Sequence, residues 1–245
     1  MNMKTKRAVV VGVLLCLIGV AGIKPASAVT LASLVSSGGT LSVGPLIFSN
    51  FNIVGIPTPG VSFVQPANVD ISTITLPNGE WGINIAPVTS PIVINGTANQ
   101  MFTADLTFDY KVAIAPGFSY LTLTSAHSQI AGTGNVTSGS ITSFNDTVSE
   151  ILSGNGGYSK SLTVFASSNA PPVLSDYTLV PKLPFLNVEK DIGTDIGFGP
   201  NGGTLSLTGN AMQTYDVPEP GTFAMLLGMG FSGGLFGLKL RRRRV

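Results

Sequence analysis

The sequence predicts an all-β protein: a single β-sandwich, of which a jelly roll is one form, set between two membrane-directed ends. Three observations carry this prediction. First, Phe102, Ala104, Leu106, Phe108, Tyr110, Val112 and Ile114 alternate with Thr103, Asp105, Thr107, Asp109 and Lys111. A period of two over that length marks a half-buried strand with one packed and one wet face. Second, helix signals are scarce from residue 29 to residue 216, while Gly, Pro, Asn and Ser clusters punctuate the chain at short intervals. Third, each end is an apolar stretch beside basic residues, unlike the body between them.

At the start, Lys4, Lys6 and Arg7 precede a 16-residue apolar run, Ala8 to Ile23. Lys24-Pro25 breaks it and Ala26-Ser27-Ala28 follows. That order is a secretory signal peptide over residues 1–28, with Ala26 and Ala28 as the small residues before the cut. It implies Sec export machinery and a signal peptidase as partners. Cys16 is the one cysteine and lies inside this run, preceded by Leu15, where a lipid-modified cysteine needs a small residue. The mature chain therefore has no disulfide, no thiol nucleophile and no cysteine metal site.

The body, residues 29–216, opens on Val29 to Ser37, which suits a short helix or an extended arm. Strands are expected at Thr40–Phe48, Asp70–Leu76, Pro91–Ile94, Phe102–Ile114, Ser140–Leu152, Ser161–Ala166, Phe185–Val188 and Thr204–Tyr215. Pro116-Gly117 ends the longest, and Phe118–Ser125 reads as its returning hairpin strand. Pro57-Thr58-Pro59-Gly60, Pro77-Asn78-Gly79, the run 153–157, Pro171-Pro172 and the run 199–203 read as turns and loops. About eight to eleven strands suggest a sandwich. Four lysines against eleven acids give the body a net charge of −7, and it holds no arginine. That balance argues against nucleic acid, anionic lipid or anionic polysaccharide as electrostatic partners.

Candidate chemistry in the body is thin. Lys190-Asp191-Ile192-Gly193-Thr194-Asp195 could offer oxygen ligands to Ca²⁺ from Asp191 and Asp195. Its spacing does not fit an EF-hand loop, so it is read as a surface turn with solvated acids. Asp105 and Asp109 lie about 13 Å apart along one strand. A glycosidase pair needs about 5–9.5 Å, so a solvated sheet face is the reading. His127 is the one histidine, no Gly-x-Ser-x-Gly elbow surrounds any serine of the body, and it is expected at an exposed strand end. With one histidine and no mature cysteine, no metal site and no cofactor are expected. Trp81 suits packing at the sandwich edge, or a sugar-stacking platform. The sequons at Asn95, Asn135 and Asn145 lack an acid two positions upstream and are read as chance in a Thr-rich chain.

The tail, residues 217–245, has three parts. Val217-Pro218-Glu219-Pro220 is rigid and extended, because two prolines fix φ and remove donors. Thr222 to Leu238 is 17 residues without a charge, about 26 Å as a helix, the short end of a bilayer span. Lys239 and then Arg241, Arg242, Arg243 and Arg244 form a basic stop that belongs on the cytoplasmic side. The body then lies outside, in agreement with the signal peptide.

Pro218-Glu219-Pro220, a glycine-bearing span and a terminal arginine cluster, in that order and at the chain end, resemble the PEP-CTERM sorting signal of bacterial surface proteins. The resemblance covers 29 of 245 residues. It implies that an exosortase, a membrane-embedded transpeptidase, reads the motif and passes the body to the cell surface or an extracellular matrix. The chain is tethered only transiently in the inner membrane. The motif would be a substrate, not a catalytic site. The family's association with exopolysaccharide implies a structural or adhesive role in a biofilm matrix, the protein not being an enzyme. A carbohydrate-binding module and a secreted hydrolase are the alternatives.

Overall fold

The computed structural model describes residues 28–58, 61–88, 92–119, 121–167 and 173–218. Residues 1–27 of the expected signal peptide, Pro171-Pro172, and the tail from Glu219 to Val245 lie outside them. Among the described residues no helix is long and apolar enough to cross a membrane; the apolar span 222–238 is not among them.

The body is nearly all β. Its described residues form eleven strands, β1 Val29–Thr30, β2 Leu41–Val43, β3 Leu46–Ile53, β4 Val69–Thr75, β5 Trp81–Pro87, β6 Ile92–Gly96, β7 Met101–Ile114, β8 Leu123–Ser153, β9 Ser159–Ser167, β10 Ser175–Leu183 and β11 Phe185–Asp216. Every ladder is antiparallel. One helix, α1 Leu31–Ser37, follows β1. The Thr30 hydroxyl caps it by accepting from the Ser33 amide at 3.3 Å, and Leu31 and Leu34 bury its inner side. Both readings of the arm are thus realised, two residues of strand and then two turns of helix.

The two long strands organise everything else. β8 and β11 pair along their whole lengths, from Asn187↔Ser153 to Asp216↔Ser125. The register slips between Gly197 and Leu205, where both strands turn a corner. Gly139 and Gly202 stand there at φ +73° and +65°, and a Cβ on Gly139 would run into the Gly202 carbonyl. Only glycine suits such a corner. Beyond it the halves fold over each other as two layers. One layer runs β2-β3-β7, the first half of β11, the second half of β8, then β9. The other runs β1-β4-β5, the second half of β11, the first half of β8, then β10, with β6 also on β11. This is a β-sandwich whose layers share two continuous strands.

The core lies between the layers. Phe48, Phe108, Tyr110, Val112, Leu186 and Val188 from one layer meet Ile71, Ile83, Leu123 and Tyr215 from the other, all of them buried. Phe48 and Tyr215 face each other across the gap at 6.0 Å between ring centroids. Burial of side chains this large is worth about 1.5–3 kcal/mol each before ordering costs. A smaller cluster of Ile94, Phe144, Ile196, Phe198 and Leu205 fills the corner.

Several expectations are corrected. Thr40–Phe48 is not one strand but the hairpin β2–β3, turned at Gly44-Pro45. Phe118–Ser125 does not return along β7: residues 116–118 form a 3-10 turn, and β8 leaves to pair with β9, β10 and β11. The strands expected at Phe185–Val188 and Thr204–Tyr215 are one strand, and the turns expected at 190–195 and 199–203 lie inside it. Residues 190–195 are held extended because β11 pairs there with β7 on one side and β8 on the other, whereas 199–202 fall in the gap of the ladder at the corner. β5 and β10 are additional strands. The turns at Pro77-Asn78-Gly79 and at 153–157 lie where expected.

Candidate functional site

The C-terminal end of β11 decides what the chain offers to an enzyme. Ala211 to Tyr215 pair with β5 on one side and β8 on the other. Tyr215 is buried, Asp216 is exposed, and the next side chain, Val217, is again packed into the core at 2% exposure. Thr124 ties down this last step, donating to the Asp216 carbonyl at 3.1 Å and lying 3.3 Å from its carboxylate. Pro218 is exposed and belongs to no strand. The fold therefore packs the chain up to Val217, and Pro218 is exposed and outside the strand.

Residues 216–244 match the model for the PEP-CTERM protein-sorting motif. The chain carries a PEP-CTERM tail. Such a tail marks an exported protein processed by an exosortase. Of the motif residues Val217, Pro218, Glu219 and Pro220, the first is core and the second is surface; Glu219, Pro220 and Arg241 to Arg244 lie outside the described residues, as does Ala26, while Ala28, just before the expected cut, is exposed. No curated protein matches the chain. Two solved structures are similar over most of its length. One is described as TmCBM61 in complex with beta-1,4-galactotriose, at 6% identity, TM-score 0.28, covering 68% of this chain and 88% of that one. The other is a family 11 carbohydrate-binding module from Clostridium thermocellum, at 10% identity, TM-score 0.18, covering 71% and 93%. Scores this low carry no argument about fold or ligand.

The other candidate residues sit in three places. On the outer face of the first layer, ladder pairing sets Asp105 beside Gly193, Thr107 beside Asp191 and Asp109 beside Glu189. Thr107 donates to Asp191 at 3.0 Å. Partial burial raises the Asp105 carboxyl to about 6, reinforced by a hydrogen bond and charge from Asp191 and by Asp195. Asp191 and Asp195 are thus strand residues near Asp105, not a turn, and no group of metal-ligating side chains forms among the described residues.

Near the PEP-CTERM exit, Trp81 lies opposite Tyr215 and is half-buried against the core, with its ring over the Gly44 turn. His127 is in mid-strand rather than at a strand end, 3.6 Å from Glu80 and edge-on to Tyr177. Thr214 donates to that same Glu80 at 2.6 Å. The sequon side chains of Asn95 and Asn145 are engaged by Thr204 and Thr147.

The third place was not legible in the sequence. Between the layers, Lys190 and Glu150 stand opposite each other in one layer, and Gln213 and Ser128 stand opposite each other in the other. All four are at most 1% exposed. Lys190 Nζ donates to Glu150 Oε1, Ser128 Oγ donates to the same oxygen at 2.7 Å, and Lys190 Nζ lies 3.5 Å from Gln213 Oε1. Burial pulls the Lys190 amine below its usual range, against the pull of Glu150. Tyr110 and Tyr215 touch hydroxyls at 3.1 Å and are pushed up by burial. Towards the corner, a cavity of about 90 Å³ is lined mainly by apolar residues such as Phe63, Leu106 and Leu207. Asp146 enters it, raised by burial and bonded by Thr194 at 2.9 Å.

Proposed function

We propose that this protein is an exosortase-sorted surface or extracellular-matrix protein whose β body has a structural or adhesive role in an exopolysaccharide matrix, and is not an enzyme. The observation that supports this reading is where the PEP-CTERM motif begins. Among the described residues the last core side chain is Val217, and Pro218 is exposed and outside the strand. Four residues, Pro218 to Gly221, then precede the apolar span; fully extended they reach at most about 14 Å. The span, read as a transient helical anchor with Arg241 to Arg244 in the cytoplasm, holds the body flush with the outer surface of the membrane until the motif is processed.

The test is fractionation of cells carrying wild-type protein or Glu219→Ala, with matrix retention as the second readout. The reading expects the body of the wild type in the matrix and the variant held in the membrane fraction. An identical distribution of both would overturn it. Selective capture of one sugar by the wild type on a glycan array would replace the structural role with a carbohydrate-binding one.

A further inference from the structure

We propose that Lys190 and Gln213 form an intramolecular amide cross-link between the two layers of the sandwich, assisted by Glu150. The three groups such a bond requires are brought together in the dry core: an amine, a carboxamide and a carboxyl. Ladder register fixes each of them, since Lys190 is locked opposite Glu150 and Gln213 opposite Ser128 on paired central strands. The amine is 3.5 Å from the Gln213 carboxamide oxygen. Of the two polar atoms that a transfer would use, Glu150 Oε2 is buried without a partner, and the Gln213 amide nitrogen has only the Tyr215 hydroxyl beside it. An unpaired buried polar atom costs about 1–3 kcal/mol, so one on the carboxyl of this cluster calls for a reason.

The chemistry balances without any co-reactant. Lys190 passes one ammonium proton to the Glu150 carboxylate, a transfer that burial favours because it removes two charges from a low-dielectric site. The neutral amine is then a nucleophile, as desolvated lysines are. Its lone pair forms the new bond to Gln213 Cδ. The Cδ–Nε2 bond breaks, Nε2 takes the proton held by Glu150, and ammonia leaves. Glu150 recovers a proton from the newly bonded nitrogen and ends as a neutral acid, hydrogen-bonded by Ser128. The product replaces a buried ion pair with a secondary amide that ties the first half of β11 to its second half. In a mature body without cysteine, it does the work of a disulfide.

Mass spectrometry of the wild-type full chain, denatured and digested with trypsin, tests this directly. The expected result is a peptide that begins at Leu183, runs uncut through Lys190, contains Gln213, and is lighter than its sequence by one ammonia. Fragmentation places the linkage on Lys190 and Gln213. Glu150→Gln restores cleavage after Lys190 and the full mass, while Ser128→Ala keeps the cross-link. Complete cleavage after Lys190 in the wild type would overturn the proposal whatever the variants do. So would loss of one water, which makes Glu150 the acceptor, or loss of ammonia with the link on Ser128.

Discussion

Two faces of one strand make the most instructive contrast in this molecule. Glu189, Lys190 and Asp191 are consecutive charged residues on β11. Glu189 is exposed and Asp191 half-exposed, beside Asp109 and Thr107 on the wet side. Lys190, between them, is fully buried against Glu150, Ser128 and Gln213. Outside, carboxylates crowd one another beside water, and solvent screens part of their repulsion. Inside, one lysine and one glutamate lie in a dry medium where every polar group needs a named partner. The strand's period of two, not the composition of the segment, decides which cost each residue meets.

The contrast breaks first at Lys190. Lys190→Ala strands Glu150 in the core, and the loss is expected at about 3–5 kcal/mol, read as a fall in the denaturant midpoint. Next comes the hydroxyl contact beside the quartet. Tyr110→Phe removes the 3.1 Å contact to Tyr215 and is expected to cost about 0.5–1.5 kcal/mol in the same measurement. The outer face gives the smallest change. Asp191→Asn is expected within about 0.5 kcal/mol of wild type at neutral pH.

On that outer face pH sharpens the picture. The folded protein holds the Asp105 proton up to about 6, above the value near 3.9 of an unfolded aspartate. Its contribution to stability is therefore fully present below about pH 4 and is lost as pH rises through 6. Asp146, raised by burial, acts in the same direction. Denaturant midpoints measured from pH 4 to pH 7 are expected to fall less in Asp105→Asn than in wild type. An equal fall in both would show that Asp105 is not held protonated by the fold.

What the sequence made legible follows from the same physics. Phe102–Ile114 alternates cleanly because one face is core and the other solvent, and β7 runs Met101–Ile114. The segment from Lys190 to Asp195 misleads because a central strand is hydrogen-bonded on both sides and tolerates charges and glycine that a lone strand would not. β10 has the weakest pattern: it lies at a sheet edge, contains Pro181, and leaves Tyr177 and Leu179 largely exposed. The partnership of Lys190 with Glu150 and Gln213 joins residues 40 and 23 positions apart, and no local signal in the sequence announces it. The PEP-CTERM tail is the opposite case, since its information is local composition in a fixed order and is readable without a fold. The role of the body depends on surface chemistry that neither periodicity nor motif spells out.

The C-terminus of the mature protein, measured by mass spectrometry from cells with and without the sorting enzyme, tests the central claim most directly. With the enzyme, the account predicts a chain that retains Val217 and ends within or just after Pro218-Glu219-Pro220, lacking the apolar span and Arg241 to Arg244. Without it, the account predicts the tail intact to Val245. An intact tail in both would contradict it, as would a cut upstream of Val217, inside a strand that the fold holds from both sides.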